Sequence, residues 1–307
     1  MGRVHILPEV LAHQIAAGEI VERPASVVKE LVENSLDAES TSIHVYLEEG
    51  GKRVIRVSDD GYGMTAEDAT LAFEHHATSK ISSVDDLQQI LTLGFRGEAL
   101  PSIASVSRTA LKTVDGDSGE GGARPGTEIE YEGGKRTLLR EIAWPGGTEI
   151  AVCDLFFNVP ARRKFLKTPS TELSHVSRLL TCYALAFPKI EFRLEHESRS
   201  ILDAFSVEEP RDRVFQLFGE RLVEALVPLD YGAGPIRISG FASLPHEQSG
   251  NSQSLYLFVN RRMVRDRLLT HAIRQAYQDL IPSTSYPVII LFLEIDPSLI
   301  DVNVHPT

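Results

Sequence analysis

Val27-Val28-Lys29-Glu30-Leu31-Val32-Glu33-Asn34-Ser35-Leu36-Asp37-Ala38 is the stretch that decides how this chain is read. Pro24, just before it, suits the first turn of a helix, where its missing N–H would have gone unpaired anyway. At roughly 100° per residue, Val28, Leu31, Val32 and Leu36 fall on one side. Glu30, Asn34 and Asp37 fall together on the other. Glu30 and Asn34 stand one turn apart, so their side chains leave the same wall in the same direction. Alone, this pattern describes the solvated face of an amphipathic helix.

Three later stretches add to it. Asp59-Asp60-Gly61-Tyr62-Gly63-Met64 follows a strand-like Val54-Ile55-Arg56-Val57. A carboxylate at a strand end can accept from an exocyclic amine, and glycines let the backbone pass close to a flat ring. A tight turn is the bland alternative. Leu93-Gly94-Phe95-Arg96-Gly97-Glu98-Ala99-Leu100 combines glycines with an apolar helix start, an arrangement whose N–H groups bind phosphates. Gly146-Gly147-Thr148-Glu149-Ile150 is a turn entering a strand with a hydroxyl at its mouth. No G-x-x-x-x-G-K-[ST] occurs, which excludes a P-loop protein.

In this order the four motifs resemble the GHKL ATPases, the group of DNA gyrase B, the heat-shock ninety chaperones, histidine kinases and MutL proteins. The wording is closest to the MutL family of DNA mismatch-repair proteins. Gln14-Ile15-Ala16-Ala17-Gly18-Glu19-Ile20-Val21-Glu22-Arg23-Pro24, Ala77-Thr78-Ser79-Lys80 and Asn158-Val159-Pro160-Ala161-Arg162-Arg163-Lys164-Phe165 carry that likeness. It runs from about Leu7 to the last residue, departing at Ile20, where valine is common, and at Tyr62 and Met64.

The composition limits the alternatives. The chain's 307 residues can hold two cores, and 42% hydrophobic with 24% charged residues is ordinary for a soluble globular protein. The apolar run Val288 to Leu293 is a strand length, far short of a membrane span. No basic-then-apolar start is present, so no signal peptide is expected. Cys153 and Cys182 lie far apart without C-x-x-C or His neighbours, which suggests neither zinc nor a disulfide framework and fits a reducing cytoplasm. Adjacent His75 and His76 would point about 100° apart on a helix, a poor metal pair. A formal net charge of −12 means that any DNA contact must come from local basic patches and fade with salt.

Along the chain, Pro8 opens a short helical pattern through Ile15. Ile43, Val45 and Leu47 alternate, Glu49 to Lys52 turns, and Val54 to Val57 returns, predicting a hairpin. Thr65 with Asp68 predicts a capped helix to about His76, and Ser83 with Asp86 another before Leu87 to Leu91. Ala77 to Leu100 reads as a lid, or as a plain polar connection. Asp115 to Gly126 reads as an exposed loop. Strands follow at Glu128–Tyr131, Thr137–Ile142 and Thr148–Val152, a helix at Ser170–Phe187, and a hairpin at Ile190–Leu194 and Ile201–Phe205. The pattern restarts near Val207, so domains are expected at 1–206 and 207–307. In the second, Arg211–Leu226 and His271–Leu280 read as helices, and Ile236–Ser243, Ser254–Val259 and Val288–Ile295 as strands. The mixture indicates α+β, helices over one face of a mixed sheet. The resemblance makes this a GHKL (Bergerat) sandwich followed by a ribosomal protein S5 domain 2-like domain.

Phosphoryl transfer needs an aligned water, a metal on the phosphates and positive or N–H groups where charge develops. Glu30 is the candidate general base, and Asn34 the candidate Mg²⁺ ligand. The resemblance gives Asp59 the adenine amine, with Gly63 beside the base and Thr148 in support. Around the phosphates of ATP it sets Thr78, Ser79, Lys80 and the backbone of Gly94, Phe95, Arg96, Gly97, Glu98, Ala99 and Leu100. Lys80 counts with Glu30 as catalytic; Asp37 also faces the site, where it touches the nucleotide, bonds an ordered water or has a structural role. Two basic clusters, Arg162-Arg163-Lys164 and Arg261, Arg262, Arg265 and Arg267, are candidate contacts to DNA backbone without sequence readout, against the ordinary solvated face.

The resemblance implies slow ATP hydrolysis, an ATP-dependent homodimer of the N-terminal regions around DNA, and work with MutS and a downstream nuclease or helicase in the bacterial cytoplasm. It also implies a lysine after Thr307 that reaches the γ-phosphate. Without that lysine, binding should stay near normal and hydrolysis suffer, unless Lys80 or Arg96 supplies the charge. The competing readings are a type II topoisomerase-like ATPase fragment and a non-hydrolysing ATP-dependent scaffold. A histidine kinase fits least, since no phosphoacceptor His region precedes the site.

Overall fold

The computed structural model describes residues 18, 20–80, 97–116, 125–296 and 299. The chain divides into two compact units. Among the described residues, the first holds those up to Thr181 together with Lys189–Ser206, and the second holds Cys182–Pro188 and those from Val207 on.

In the first unit the opening helix, α1, spans Pro24–Asp37 with Pro24 in its first turn. It packs on β1 (Ser42–Glu48) and β2 (Val54–Asp59). Val27, Val28, Leu31 and Val32 are all essentially inaccessible to solvent. Each contributes about 1.5–3 kcal/mol by burial, enough to dictate which side of α1 turns inward. Strands β3 (Arg108–Thr113), β4 (Gly126–Glu132), β5 (Lys135–Ile142), β6 (Thr148–Cys153), β7 (Glu191–His196) and β8 (Arg199–Ala204) complete an eight-stranded sheet. Its order is β5-β4-β3-β6-β2-β1-β7-β8, antiparallel except for the parallel β1–β7 pair. Burial alternates along β1, the mark of one covered face. Short helices α2 (Ala66–Leu71) and α3 (Ala99–Ser105) pack on β4 and on β3 and β4; α4 (Pro160–Phe165) and α5 (Pro169–Ala186) follow β6.

The second unit contains α6 (Pro210–Phe218), α7 (Glu220–Glu224), β9 (Leu226–Ala233), β10 (Ile236–Ser243), β11 (Gln248–Ser249), β12 (Leu255–Val259), β13 (Arg262–Met263), α8 (Arg267–Ala276), β14 (Tyr286–Pro287) and β15 (Ile289–Ile295). Its main sheet runs β13-β12-β15-β10-β9, with β12 and β15 parallel. Val214, Val223, Phe258 and Ile290 centre one apolar cluster, and Leu255, Leu257 and Ile289 a second under Leu269 and Ile273 of α8.

The expected α+β class and the β1–β2 hairpin are found. Several details differ. The helix capped by Thr65 ends at Leu71, not His76; the chain turns so that Phe73 stacks on Tyr131 at 4.2 Å between centroids. His75 and His76 are therefore not on a helix. The segment expected as one helix from Arg211 breaks at Gly219 (φ 81°), where a left-handed residue separates α6 from α7. The helix expected from His271 starts at Arg267, because the Asp266 side chain caps it, accepting from Leu269 N at 2.8 Å. Strands β3 and β9 are not signalled by the sequence pattern. In β3 two of the three inward residues are Thr109 and Thr113, which blurs the apolar alternation. In β9 Pro228 and Gly232 read as turn residues, yet the strand lies at the sheet edge, where proline is tolerated. The N-terminal helical pattern, the Ser83 helix, Gly94-Phe95-Arg96 and the last residues lie outside the described residues.

Candidate functional site

Periodicity alone puts Glu30, Asn34 and Asp37 on one side of α1, and the structure brings Lys80 to the same place. Lys80 Nζ donates to Asn34 Oδ1 at 2.8 Å and pairs with Asp37 Oδ2 at 2.5 Å. The Lys80 and Asp37 side chains are only 18% and 10% exposed, so solvent screens this pair weakly. Two oxygens aimed at one cation form a spot that also suits a hard divalent ion with oxygen ligands. Among the described residues, no group of three or more His, Cys, Asp or Glu side chains is arranged to hold a metal. One turn earlier, Lys29 Nζ lies 3.0 Å from Glu30 Oε1 and 3.1 Å from Glu33 Oε2. Lys29 was not singled out in the sequence, although its i,i+4 spacing to Glu33 signals the pair.

The second wall is the end of β2 with its neighbours β6 and β3. Asp59 lies in register with Thr148, and Thr148 with Thr113. Asp59 Oδ2 accepts from Ser35 Oγ at 2.7 Å and Oδ1 from Gly61 N at 3.0 Å, and the Thr148 N–H and the Ser40 hydroxyl lie near enough to favour the charged carboxylate. Burial pushes the Asp59 carboxyl above its usual range, and those hydrogen bonds pull against it, the Ser35 hydroxyl first. The Thr113 and Thr148 hydroxyls share a 2.9 Å bond, and Met64 N donates to Thr113 Oγ1 at 3.0 Å. Gly147 (φ 65°) passes so close to β2 that a Cβ would lie 1.9 Å from the Asp59 carbonyl oxygen. Gly63 (φ 67°) is equally constrained, a Cβ there meeting Val114 O at 1.9 Å. Both turns require glycine. Ser35 and Thr113 belong to no sequence motif, because a serine inside a helix and a threonine inside a strand carry no pattern.

Thr78 Oγ1 accepts from Lys80 N at 3.2 Å, and Ser79 is exposed. Gly97 (φ 61°) and Glu98 lead into α3, whose first residues, Ala99 and Leu100, present the N–H groups of a helix start. Gly94, Phe95 and Arg96 lie outside the described residues.

The basic clusters differ internally. Arg163 and Lys164 are exposed on α4, whereas Arg162 is half-buried with Nη1 toward the Val21 carbonyl at 3.4 Å. Arg261 sits in the β12–β13 turn (φ 65°), its guanidinium 5.9 Å from the Phe187 ring centroid. Arg262 is half-buried in β13, while Arg265 and Arg267 are exposed just before and at the start of α8.

Two family models match the chain. Residues 22–114 match "Histidine kinase-, DNA gyrase B-, and HSP90-like ATPase", and residues 214–307 match "DNA mismatch repair protein, C-terminal domain". The DNA mismatch repair protein MutL of Acidobacterium capsulatum is 51% identical, covering 100% of this chain and 49% of that protein. That of Solibacter usitatus is 48% identical, covering 100% and 50%. The chain thus spans about half the length of the curated relatives it matches. The solved structure of the Aquifex aeolicus MutL ATPase domain complexed with ADP is 32% identical, with a TM-score of 0.67, over 91% of this chain and 94% of that one. An N-terminal domain of a DNA repair protein aligns at 25% identity and a TM-score of 0.81, over 96% and 91%.

Proposed function

This chain belongs to the MutL family of DNA mismatch repair proteins and carries its GHKL ATPase domain, and from that premise we propose that it binds and slowly hydrolyses ATP between α1 and the β2 end. The observation that carries the reading is the convergence of Asn34, Asp37 and Lys80 beside Glu30, with Asp59 bonded to Ser35 of the same helix. Asp59 accepts the adenine amine, Gly63 lets the ring lie against the backbone, and Thr148 holds Asp59. The N–H groups leading into α3, with Thr78, Ser79 and Lys80, face the phosphates. Glu30 takes the proton of a water in line with the γ-phosphate. Asn34 would hold a Mg²⁺ ion, which when bound would neutralise charge on the phosphates. Lys80 then exchanges its place on Asn34 and Asp37 for the phosphate charge.

Asn34→Ala tests this arrangement. ATP affinity measured by titration in Mg²⁺ should fall about tenfold, the scale of one lost polar contact to a charged centre. Without Mg²⁺ the variant and the wild type should bind alike. Equal affinities at every Mg²⁺ concentration would take Asn34 out of the metal site.

For the whole protein, we propose an ATP-switched repair coordinator that dimerises through its N-terminal regions, holds DNA without sequence preference and works with MutS and a nuclease or helicase in the cytoplasm. Exposed Arg163, Lys164, Arg265 and Arg267 in a chain of formal charge −12 support the DNA part. Charge reversal at Arg265 or Arg267 should weaken binding alike for unrelated DNA sequences and flatten the salt slope by about one unit per lost phosphate contact. An unchanged slope in a folded variant would return these residues to an ordinary solvated surface. Membership in the MutL family sets the topoisomerase-like alternative aside. The non-hydrolysing scaffold keeps one supporting observation, the Lys29 ammonium on the Glu30 carboxylate, which competes for the lone pairs a base needs. Phosphate release by the purified chain separates the two.

A further inference from the structure

Ser35 lies one residue beyond Asn34, on the side of α1 that turns inward, and is 3% exposed. A serine inside a helix ordinarily bonds back to the carbonyl four residues earlier, and Ser35 Oγ does lie 3.1 Å from Leu31 O. It also lies 2.7 Å from Asp59 Oδ2. One hydroxyl proton serves one good bond, and the shorter contact to a charged acceptor is the stronger. The Ser35 hydroxyl therefore belongs to Asp59.

The surroundings fix this serine. Its carbonyl accepts from Ser40 Oγ at 2.6 Å and from Ala38 N at 3.2 Å, tying down the last turn of α1. The carboxylate opposite is held by Ser35 on one oxygen and by Gly61 N on the other. A carboxylate has about four acceptor positions. Ser35 takes one position on Oδ2 and so decides which way the remaining acceptor position of that oxygen faces.

We propose that Ser35 is a positioning residue for purine recognition, its hydroxyl holding the Asp59 carboxylate so that the remaining acceptor position meets the 6-amino group of adenine. The proposal rests on the ATP reading above. Ser35 touches the nucleotide only through Asp59, so its effect is confined to bases that carry the amino group. Purine riboside triphosphate, which lacks that group, separates this role from a general support of α1.

The test is equilibrium binding of ATP and of purine riboside triphosphate to the wild type, Ser35→Ala, Ser35→Thr and Asp59→Asn. Ser35→Ala should weaken ATP about tenfold, within the range for a hydrogen bond to a charged group, and leave the analogue within about twofold. Ser35→Thr, which keeps the hydroxyl, should recover most of the ATP affinity. Should Ser35→Ala fail to fold, Ser35→Cys replaces the hydroxyl with a weaker donor of similar size and should show the same selective loss. Equal losses for both nucleotides, or unchanged ATP binding, would overturn the positioning role. Asp59→Asn distinguishes the failures. If it loses ATP selectively while the Ser35 variants do not, only the serine proposal falls; if it binds ATP like the wild type, the ATP reading falls and the proposal with it.

Discussion

Glu30→Ala is expected to bind ATP at near wild-type strength and to release phosphate at least about 10²-fold more slowly, the usual scale for a positioned acid–base group. Glu30 stands one turn before Asn34, on the side of α1 where Lys80 meets Asn34 and Asp37. On the proposed reading Glu30 is the carboxylate of α1 that takes the proton of a water in line with the γ-phosphate. The substitution should spare the fold, because Glu30 is not among the buried residues of α1 and Lys29 keeps its partner in Glu33. Loss of turnover can then be read as lost chemistry. Phosphate release under saturating ATP is the check; an unchanged rate would remove Glu30 from the mechanism, and no release by either protein would favour the non-hydrolysing scaffold.

The second large effect is expected at the other end of the nucleotide. Asp59→Asn should weaken ATP binding by roughly 10²-fold, since an amide can turn its NH₂ toward the adenine amine where a carboxylate only accepts. The wild-type carboxylate is already aimed by Ser35 and Gly61, so little ordering should remain to be done on binding. Isothermal titration, with thermal unfolding as the fold control, makes the measurement. Affinity within about threefold of wild type would mean that adenine is not read at Asp59.

What could be read in the sequence follows from where each signal resides. Helix α1 and the β1–β2 hairpin announce themselves because period and burial agree over short distances: Val28, Leu31 and Val32 on one element, Ile43, Val45 and Leu47 on the other. Asp59 stands out because a carboxylate at a strand end is followed by Gly61 and Gly63. Other features depend on partners distant in the chain. Lys80 reaches Asn34 across 46 residues, and Ser35 reaches Asp59 across 24, distances at which periodicity says nothing. Strand β3 hid because Thr109 and Thr113 face inward and satisfy their hydroxyls there, Thr109 with Ser107 and Thr113 with Thr148. The helical pattern from Arg211 runs on past the real helix end because the positive-φ turn at Gly219 is a single-residue event inside an otherwise helical pattern.

The most direct measurement is a crystal structure of the chain with a non-hydrolysable ATP analogue and Mg²⁺. The expected result is an adenine amine within hydrogen-bond distance of Asp59, a triphosphate beside Glu30 and Asn34, and Lys80 Nζ moved from Asn34 and Asp37 to a phosphate oxygen. A nucleotide bound elsewhere, or one whose adenine has no contact with Asp59, would contradict it.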